Sequence, residues 1–305
     1  MSPLISYGYG SGLLFMSLAK LEGDKGKVVN YTIVGNFGGD ERMNLSKGFQ
    51  LANKYYPLLL VPIIFDLLQL GNILRSVQGF TLKLTIPSAL PSITQIMNTT
   101  NQGTDTFNIN LPYGYLGHGF LAVLIVILYL LAGAFFKGGF LGCILAGINE
   151  QEVSVSTYIQ TGKQYFGRFL AQAFLMLILL LASAPFWIAL GPLALLLMLG
   201  LLILSFYLIF WDYVIVAENA GLIEAAKISL ARVQSGLGKV FLFLIPIVLI
   251  TALLGIIANA FIASSPILAV LAISLYAYFG TAVVFAIMIF YLEISGSEAG
   301  SGFTA

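Results

Sequence analysis

Charged side chains are scarce in this chain: only 9% of its 305 residues are Asp, Glu, Lys or Arg, against about 25% in ordinary soluble domains. Hydrophobic residues make up 59%, which is more than a soluble fold buries. The 14 basic residues nearly balance the 13 acidic ones, so no net charge attracts nucleic acid, and we expect no such partner. The composition instead predicts that the chain sits in a lipid bilayer.

Cysteine and histidine are almost absent, with Cys143 and His118 the single examples. One cysteine cannot form an internal disulfide, and a lone histidine without a cysteine beside it cannot make a structural zinc site. The sequence also lacks a Walker phosphate loop, a G-x-S-x-G elbow and an HExxH motif. We therefore expect no metal, no cofactor and no enzymatic activity.

Long apolar runs are what the chain does have. Each is long enough for a helix of about 20 residues, which crosses ~30 Å of hydrocarbon. They are residues 55–74, 120–145, 169–188, 193–216, 240–261 and 267–292. Helices are expected because an unpaired backbone amide in lipid costs several kcal/mol, and a barrel would show alternating segments of about 10 residues. The predicted fold is an all-α bundle of six transmembrane helices with amphipathic interfacial helices.

The chain divides into three parts. Residues 1–42 are Gly-rich, and their one apolar run, residues 13–19, is too short to span and precedes the first lysine, unlike a signal peptide. We expect them to be a poorly ordered tail or to lie outside the native product, which would then begin near Met43. Residues 43–294 form the predicted transmembrane domain, and residues 295–305 a C-terminal tail.

Basic residues predict the orientation, because lysine and arginine stay on the cytoplasmic side. With the N-terminus inside, only Arg75 and Lys83 fall outside. The other twelve of the fourteen are then cytoplasmic: Lys20, Lys25, Lys27, Arg42, Lys47, Lys54, Lys137, Lys163, Arg168, Lys227, Arg232 and Lys239. We expect a multi-pass protein of the plasma membrane with both termini in the cytoplasm.

Two cytoplasmic connections have apolar residues at helical spacing. One runs from Leu222 to Leu237 and carries Glu224, Lys227 and Arg232, with Lys239 just beyond. The other covers residues 155–169. Helices of this kind lie flat at the membrane interface or dock beneath the bundle. Both end in a glycine followed by a basic residue, which favours a duplicated unit of span, interfacial helix and span.

A resemblance is carried by residues 216–244, VAENAGLIEAAKISLARVQSGLGKVFLFL, and residues 138–169, GGFLGCILAGINEQEVSVSTYIQTGKQYFGRF. These stretches resemble a group of bacterial and archaeal six-helix membrane proteins. The group includes the membrane domain attached to some glycerophosphoryl diester phosphodiesterases, and related families of unknown function. The resemblance covers roughly residues 44–294 and implies the architecture. No catalytic residue of those enzymes maps onto this sequence.

Polar side chains inside the apolar runs are the candidate functional residues, because a charge at mid-bilayer costs at least about 2.5 kcal/mol. The two carboxylates are Asp66 and Asp212, and the polar residues that could join them are Gln69, Asn72 and Asn259. They predict a cation or proton site. The alternative is that each carboxylate is hydrogen-bonded to a neighbouring helix or hydrated near an interface.

The scarcity of polar groups in the spans favours a non-catalytic scaffold, assembly or regulatory component of the membrane. Its partners would be the lipid bilayer and other membrane proteins. A small-solute or ion transporter that uses Asp66 is the alternative. An intramembrane enzyme ranks last, because the spans lack clustered acids, histidines and nucleophiles.

Overall fold

The computed structural model describes residues 5–10, 13–21, 28–35, 41–76, 83, 85–87, 89–97, 119–190 and 194–301. From residue 41 onward it is an all-α bundle, as the sequence predicts. The helices are α1 (Glu41–Lys54), α2 (Leu60–Leu68), α3 (Leu70–Ser76), α4 (Gly119–Ile148), α5 (Val155–Leu190), α6 (Ala194–Tyr207), α7 (Trp211–Ala217), α8 (Leu222–Ser235), α9 (Leu237–Ser264) and α10 (Pro266–Ser301).

Three strands precede the bundle. β1 (Ile5–Gly10) pairs antiparallel with β2 (Leu13–Leu21), which pairs antiparallel with β3 (Val28–Gly35). A search for apolar runs long enough to span does not anticipate this meander, although β3 is rich in the β-branched and aromatic residues that favour strands. That residues 1–42 lie outside the native product stays a prediction. At the other end, α10 continues to Ser301 through most of the predicted C-terminal tail.

The protein is a multi-pass integral membrane protein. Within the described residues, five helical segments are long and apolar enough to cross a bilayer: Val126–Ile148, Val155–Ser183, Leu195–Ala217, Leu237–Ser264 and Pro266–Gly296. Residues of α1 and α2 form a further pair bent by 90°, so the count is six when that pair is one broken span. The prediction of a six-helix bundle depends on this bent pair.

α1 is part of the bundle although several of its residues are polar. It packs along α10, where Asn44 Nδ2 donates a 2.6 Å hydrogen bond to Glu293 Oε2. Gly48 allows the close approach, because a Cβ there would lie 2.3 Å from the Ala282 carbonyl oxygen. Gly48 also faces Ala286, which is four residues beyond Ala282 on α10. These small residues let α1, a partly polar helix, pack within the bundle.

α4 and α5 form a tight helical hairpin. A Cβ on Gly142 would lie 2.3 Å from the Thr161 Cβ, and one on Gly138 would lie 3.2 Å from the Tyr165 Cβ. Gly138 and Gly142, four residues apart, thus let the two helices approach closely. The predicted interfacial helix at residues 155–169 is not a separate element, because α5 runs unbroken through Gly167 into the span.

α8 is a separate helix, and it docks against the bundle. Its buried residues are Ala225, Ser229 and Val233. They recur every four positions and so lie on one face of the helix. Glu224 and Lys227 are exposed, as is Lys239 in the first turn of α9. The helices α8 and α9 are separated at Gly236, two residues before the glycine of the predicted repeat, Gly238, whereas α5 has no break before the matching Gly167, so the two predicted repeats differ in helix structure.

Candidate functional site

A cavity of about 440 Å³ lies within the membrane-spanning part of the bundle. Its walls come from α2, α4, α5, the junction of α6 and α7, and residues 89–95 of the connection between α3 and α4. Ligand sites in proteins are typically about 300–1,000 Å³. The cavity is therefore large enough for a small organic molecule.

One side of the cavity carries three polar side chains from three helices, which we call the polar floor: Lys137, Gln172 and Asp212. Lys137 Nζ lies 2.7 Å from Asp212 Oδ1 and donates a 3.1 Å hydrogen bond to Gln172 Oε1. Gln172 Nε2 donates a 2.8 Å bond to the same Asp212 oxygen. These three contacts join α4, α5 and α7, and the opposite charges of Lys137 and Asp212 cancel.

The position of Lys137 makes this pair unusual. It is eleven residues, about 16 Å of helix axis, from the end of α4 at Ile148, and so lies well inside the helix. An isolated charge there costs at least about 2.5 kcal/mol, and the pairing with Asp212 offsets that cost. The side chains of Lys137 and Asp212 nevertheless remain 26% and 21% exposed. The pair is thus accessible from the cavity and not sealed inside the packing.

The turn between α6 and α7 holds Asp212 in place. Ser229 of α8 accepts a 3.2 Å bond from the Phe210 amide and donates a 2.9 Å bond to the Tyr207 carbonyl. Trp211 Nε1 donates to the Leu222 carbonyl at 2.9 Å. These bonds satisfy backbone groups that the helix break frees, and they fix the start of α7 against α8.

Another wall of the cavity comes from the inserted segment, residues 89–97. Ile93, Ile96 and Met97 are at most 1% exposed. A Cβ on Gly280 of α10 would lie 2.4 Å from the Pro91 Cβ, so the glycine makes room for the segment. This part of the chain is thus packed among helices and does not lie on the surface as a loop does.

Asp66 anchors the inserted segment. Its Oδ1 accepts a 2.5 Å bond from the Ser92 hydroxyl, and its Oδ2 accepts a 2.8 Å bond from the Ile93 amide. Asp66 is 0% exposed and lies behind Ser92, whereas Ser92 itself lines the cavity. The carboxylate therefore reaches the cavity only through Ser92.

Aromatic rings form much of the remaining wall, contributed by Phe65, Tyr129, Phe169 and Trp211. The Phe65 and Tyr129 rings are 6.2 Å apart, and the Lys137 ammonium lies 5.0 Å from the centre of the Phe169 ring. Such faces bind apolar groups and attract ammonium groups. The cavity thus pairs a polar floor with an apolar and aromatic body.

The predicted polar residues are distributed over different places. Asp212 and Gln69 line the cavity, and Asp66 lies directly behind its wall. Asn259 is buried elsewhere on α9, where its Nδ2 donates to the Gly255 carbonyl of its own helix. The side chain of Asn72 lies outside the described residues. A cation or proton site at Asp66 stays a prediction.

Sequence reasoning missed two members of the polar floor. The distribution of basic residues predicts Lys137 on the cytoplasmic side, although it lies inside the predicted span 120–145. The sequence analysis does not single out Gln172 within residues 169–188. A lysine inside an apolar run was the available signal, because such a charge needs a partner on another helix.

Metal ligands do not cluster in the part of the chain that the structure describes: no three His, Cys, Asp or Glu side chains there could share an ion. The absence of a metal or cofactor stays an expectation. No protein-family model matches the sequence, no curated protein is similar enough to count as a relative, and no solved structure matches the fold. The functional conclusion therefore rests on the geometry of the site.

Proposed function

We propose that the protein is a small-solute transporter whose binding site is the cavity above Lys137, Gln172 and Asp212. The observation that carries this proposal is an ion pair between two membrane-spanning segments, with both partners partly exposed to a cavity of about 440 Å³. Charged residues within spans that face a cavity typically mark substrate pathways. A pair that served packing alone would be better shielded, because exposure to water weakens it.

Asp66 has a positioning role in this proposal. It holds Ser92 and Ile93, and with them the wall that the inserted segment forms. With both termini in the cytoplasm of a plasma-membrane protein, the inserted segment lies toward the outside. It then covers the outer end of the cavity, and its displacement would open a path from that side. The resemblance to the six-helix group remains a proposal about architecture and assigns no substrate.

Accessibility from the two sides of the membrane tests transport without knowledge of the solute. In a chain freed of its own thiol by Cys143→Ala, the cavity residue Ala173 is changed to cysteine and exposed to a membrane-impermeant thiol reagent. A transporter alternates its access, so both right-side-out and inside-out vesicles should label this cysteine. The matched control is Ala282→Cys, at a fully buried position outside the cavity, which should stay unlabelled.

Labelling of Ala173→Cys from one side only, or from neither, would contradict transport. It would favour the second candidate, a non-catalytic scaffold, assembly or regulatory component. The observation in favour of that function is α6, whose Leu196 and Met198 are 67% and 55% exposed and whose apolar residues are exposed around the whole helix. A membrane protein that co-purifies with the wild type, and is lost when Leu196, Leu199 and Leu202 become alanine, would support the scaffold.

A further inference from the structure

The charge of the cavity limits what it can hold. Lys137 and Asp212 are the two charged side chains among its described lining residues, and their charges cancel. A ligand with a net charge would leave one charge uncompensated within the membrane-spanning bundle. The insertion cost of such a group is equivalent to a roughly 60-fold loss of affinity. A ligand with no net charge avoids this loss.

The polar floor offers both a donor and an acceptor to a ligand. Lys137 has three N–H groups, and two of them are taken by Asp212 Oδ1 and Gln172 Oε1. Asp212 Oδ1 receives both Lys137 and Gln172, while no described residue donates to Oδ2. One ammonium N–H and one carboxylate oxygen therefore remain within a few ångströms of each other. They match a cationic and an anionic group carried close together on one molecule.

The volume requires an apolar part as well. A single ion, or a zwitterion as small as glycine, would leave most of the 440 Å³ unfilled. The lining beyond the polar floor is largely aromatic and aliphatic, including Phe65, Tyr129, Leu130 and Met176. Burial of an apolar group against these residues is favourable at about 25 cal/mol per Å².

We propose, on the basis of the transport function above, that the ligand is a zwitterion attached to an apolar body. Its ammonium group pairs with Asp212 Oδ2, its carboxylate or phosphate accepts from Lys137 and Gln172, and its apolar part lies among the aromatic rings. Two sources supply this chemistry: a water-soluble amino acid with a large apolar side chain, and the headgroup of a zwitterionic lipid.

Binding can be followed at the site itself. Trp211 lines the cavity and is one of two tryptophans, so Trp187→Phe leaves it as the single indole reporter. Three soluble probes of matched shape differ in charge: L-phenylalanine, phenethylamine, which lacks the carboxylate, and 3-phenylpropionate, which lacks the ammonium. Two short-chain lipids, dihexanoyl phosphatidylethanolamine and dihexanoyl phosphatidylglycerol, compare a zwitterionic with an anionic headgroup. Each is titrated against the purified full-length chain in detergent.

At least one zwitterion should change the Trp211 emission with an affinity at least tenfold higher than its charged analogues. Preference for L-phenylalanine identifies a soluble ligand, and preference for the phosphatidylethanolamine identifies a lipid. Quenching of Trp211 by the same lipid with brominated chains would place the chains in the cavity. Equal or tighter binding of the charged analogues, or no binding by either zwitterion, would overturn the proposal. Two-sided labelling of Ala173→Cys would then still support transport, so the two failures are distinguishable.

Charge variants of the floor provide an independent readout. K137M leaves a net negative floor and should move the preference toward phenethylamine, whereas D212N should move it toward 3-phenylpropionate. Because loss of one partner from an ion pair of this kind is destabilising, the uncharged double variant K137M/D212N is the folding control. It should fold and lose the preference for the zwitterion. Retention of the wild-type preference in the double variant would contradict the proposed contacts.

Discussion

Asp66 and Asp212 are both carboxylates within apolar segments, and their neighbours give them different tasks. Asp66 is fully buried and accepts two hydrogen bonds from the inserted segment. Asp212 pairs with a lysine at the edge of a cavity and keeps one oxygen without a described donor. Hydrogen-bonding capacity that is filled by the protein stabilises the fold, whereas capacity left at a cavity is available to a ligand.

At Asp66 the change to alanine should destabilise the protein by about 1–3 kcal/mol, because it leaves the buried Ile93 amide without an acceptor. Ser92→Ala is the matched comparison, since it removes the hydroxyl that contacts Asp66 and Thr94 and leaves the Asp66–Ile93 bond in place. It leaves one buried oxygen of Asp66 without its donor, so it too should cost about 1–3 kcal/mol. Reversible unfolding in mixed detergent micelles measures both. Equal stability of wild type and Asp66→Ala would show that packing alone holds the inserted segment.

The residues of the candidate site were only partly predictable. Asp66 and Asp212 stand out because a carboxylate in an apolar run is expensive wherever it points. Their different roles depend on Ser92, Lys137 and Gln172, which lie 26, 75 and 40 positions from the carboxylate that each one contacts. Contacts over such separations depend on the packing of whole helices. One sequence carries no direct signal for them.

Among the elements, the hairpin of α4 and α5 is set by glycine. Gly142→Ala would place a Cβ 2.3 Å from the Thr161 Cβ, so the helices must move apart. Overpacking of this kind typically costs about 1–3 kcal/mol. Gly200→Ala on α6 is the control, because its Cβ would meet nothing within 4 Å. Thermal unfolding in detergent should show a clear loss for the first variant and none for the second.

A second substitution distinguishes the clash from a general intolerance of α4 to change. Thr161→Gly removes the Cβ that Gly142→Ala would meet, so the double variant should be no less stable than Thr161→Gly alone. The loss in the double variant should thus be smaller than the sum of the two single losses, by about the cost of Gly142→Ala. Additive losses would show that the contact between these two positions does not set the helix spacing.

Helix existence was easier to predict than helix extent. A run of about 20 apolar residues has few alternatives in lipid, which is why the spans of α4, α9 and α10 follow from length alone. The amphipathic residues 155–169 gave an error, since they form the start of α5 and not a separate helix, whereas residues 222–235 form a docked helix, which was one of the two predicted alternatives. The helix α1 contains polar residues, yet Gly48 lets it pack along α10. Whether an amphipathic helix lies at the membrane interface or packs against other helices depends on the helices that surround it.

At the scale of the whole molecule, the order of the helices fixes which connections share a side of the membrane. The connection before α5 contains the exposed Glu152, and the exposed Ser264 is the last residue of α9, next to the turn into α10. Three candidate spans separate them: Val155–Ser183, Leu195–Ala217 and Leu237–Ser264. An odd number of crossings puts the two positions on opposite sides. The distribution of basic residues predicts that Glu152 faces the cytoplasm.

Single cysteines at these positions test the arrangement in the Cys143→Ala background. A membrane-impermeant thiol reagent added to intact cells should label Ser264→Cys and leave Glu152→Cys unmodified until the cells are opened. The exposed α8 position Lys227 should behave as Glu152 does when changed to cysteine, because two spans separate them and two crossings return the chain to the same side. Labelling of Lys227→Cys together with Ser264→Cys in intact cells would mean that one of these helices does not cross. The cavity between α4, α5 and α7 would then not lie within a membrane-spanning bundle, and the transport proposal would fail with it.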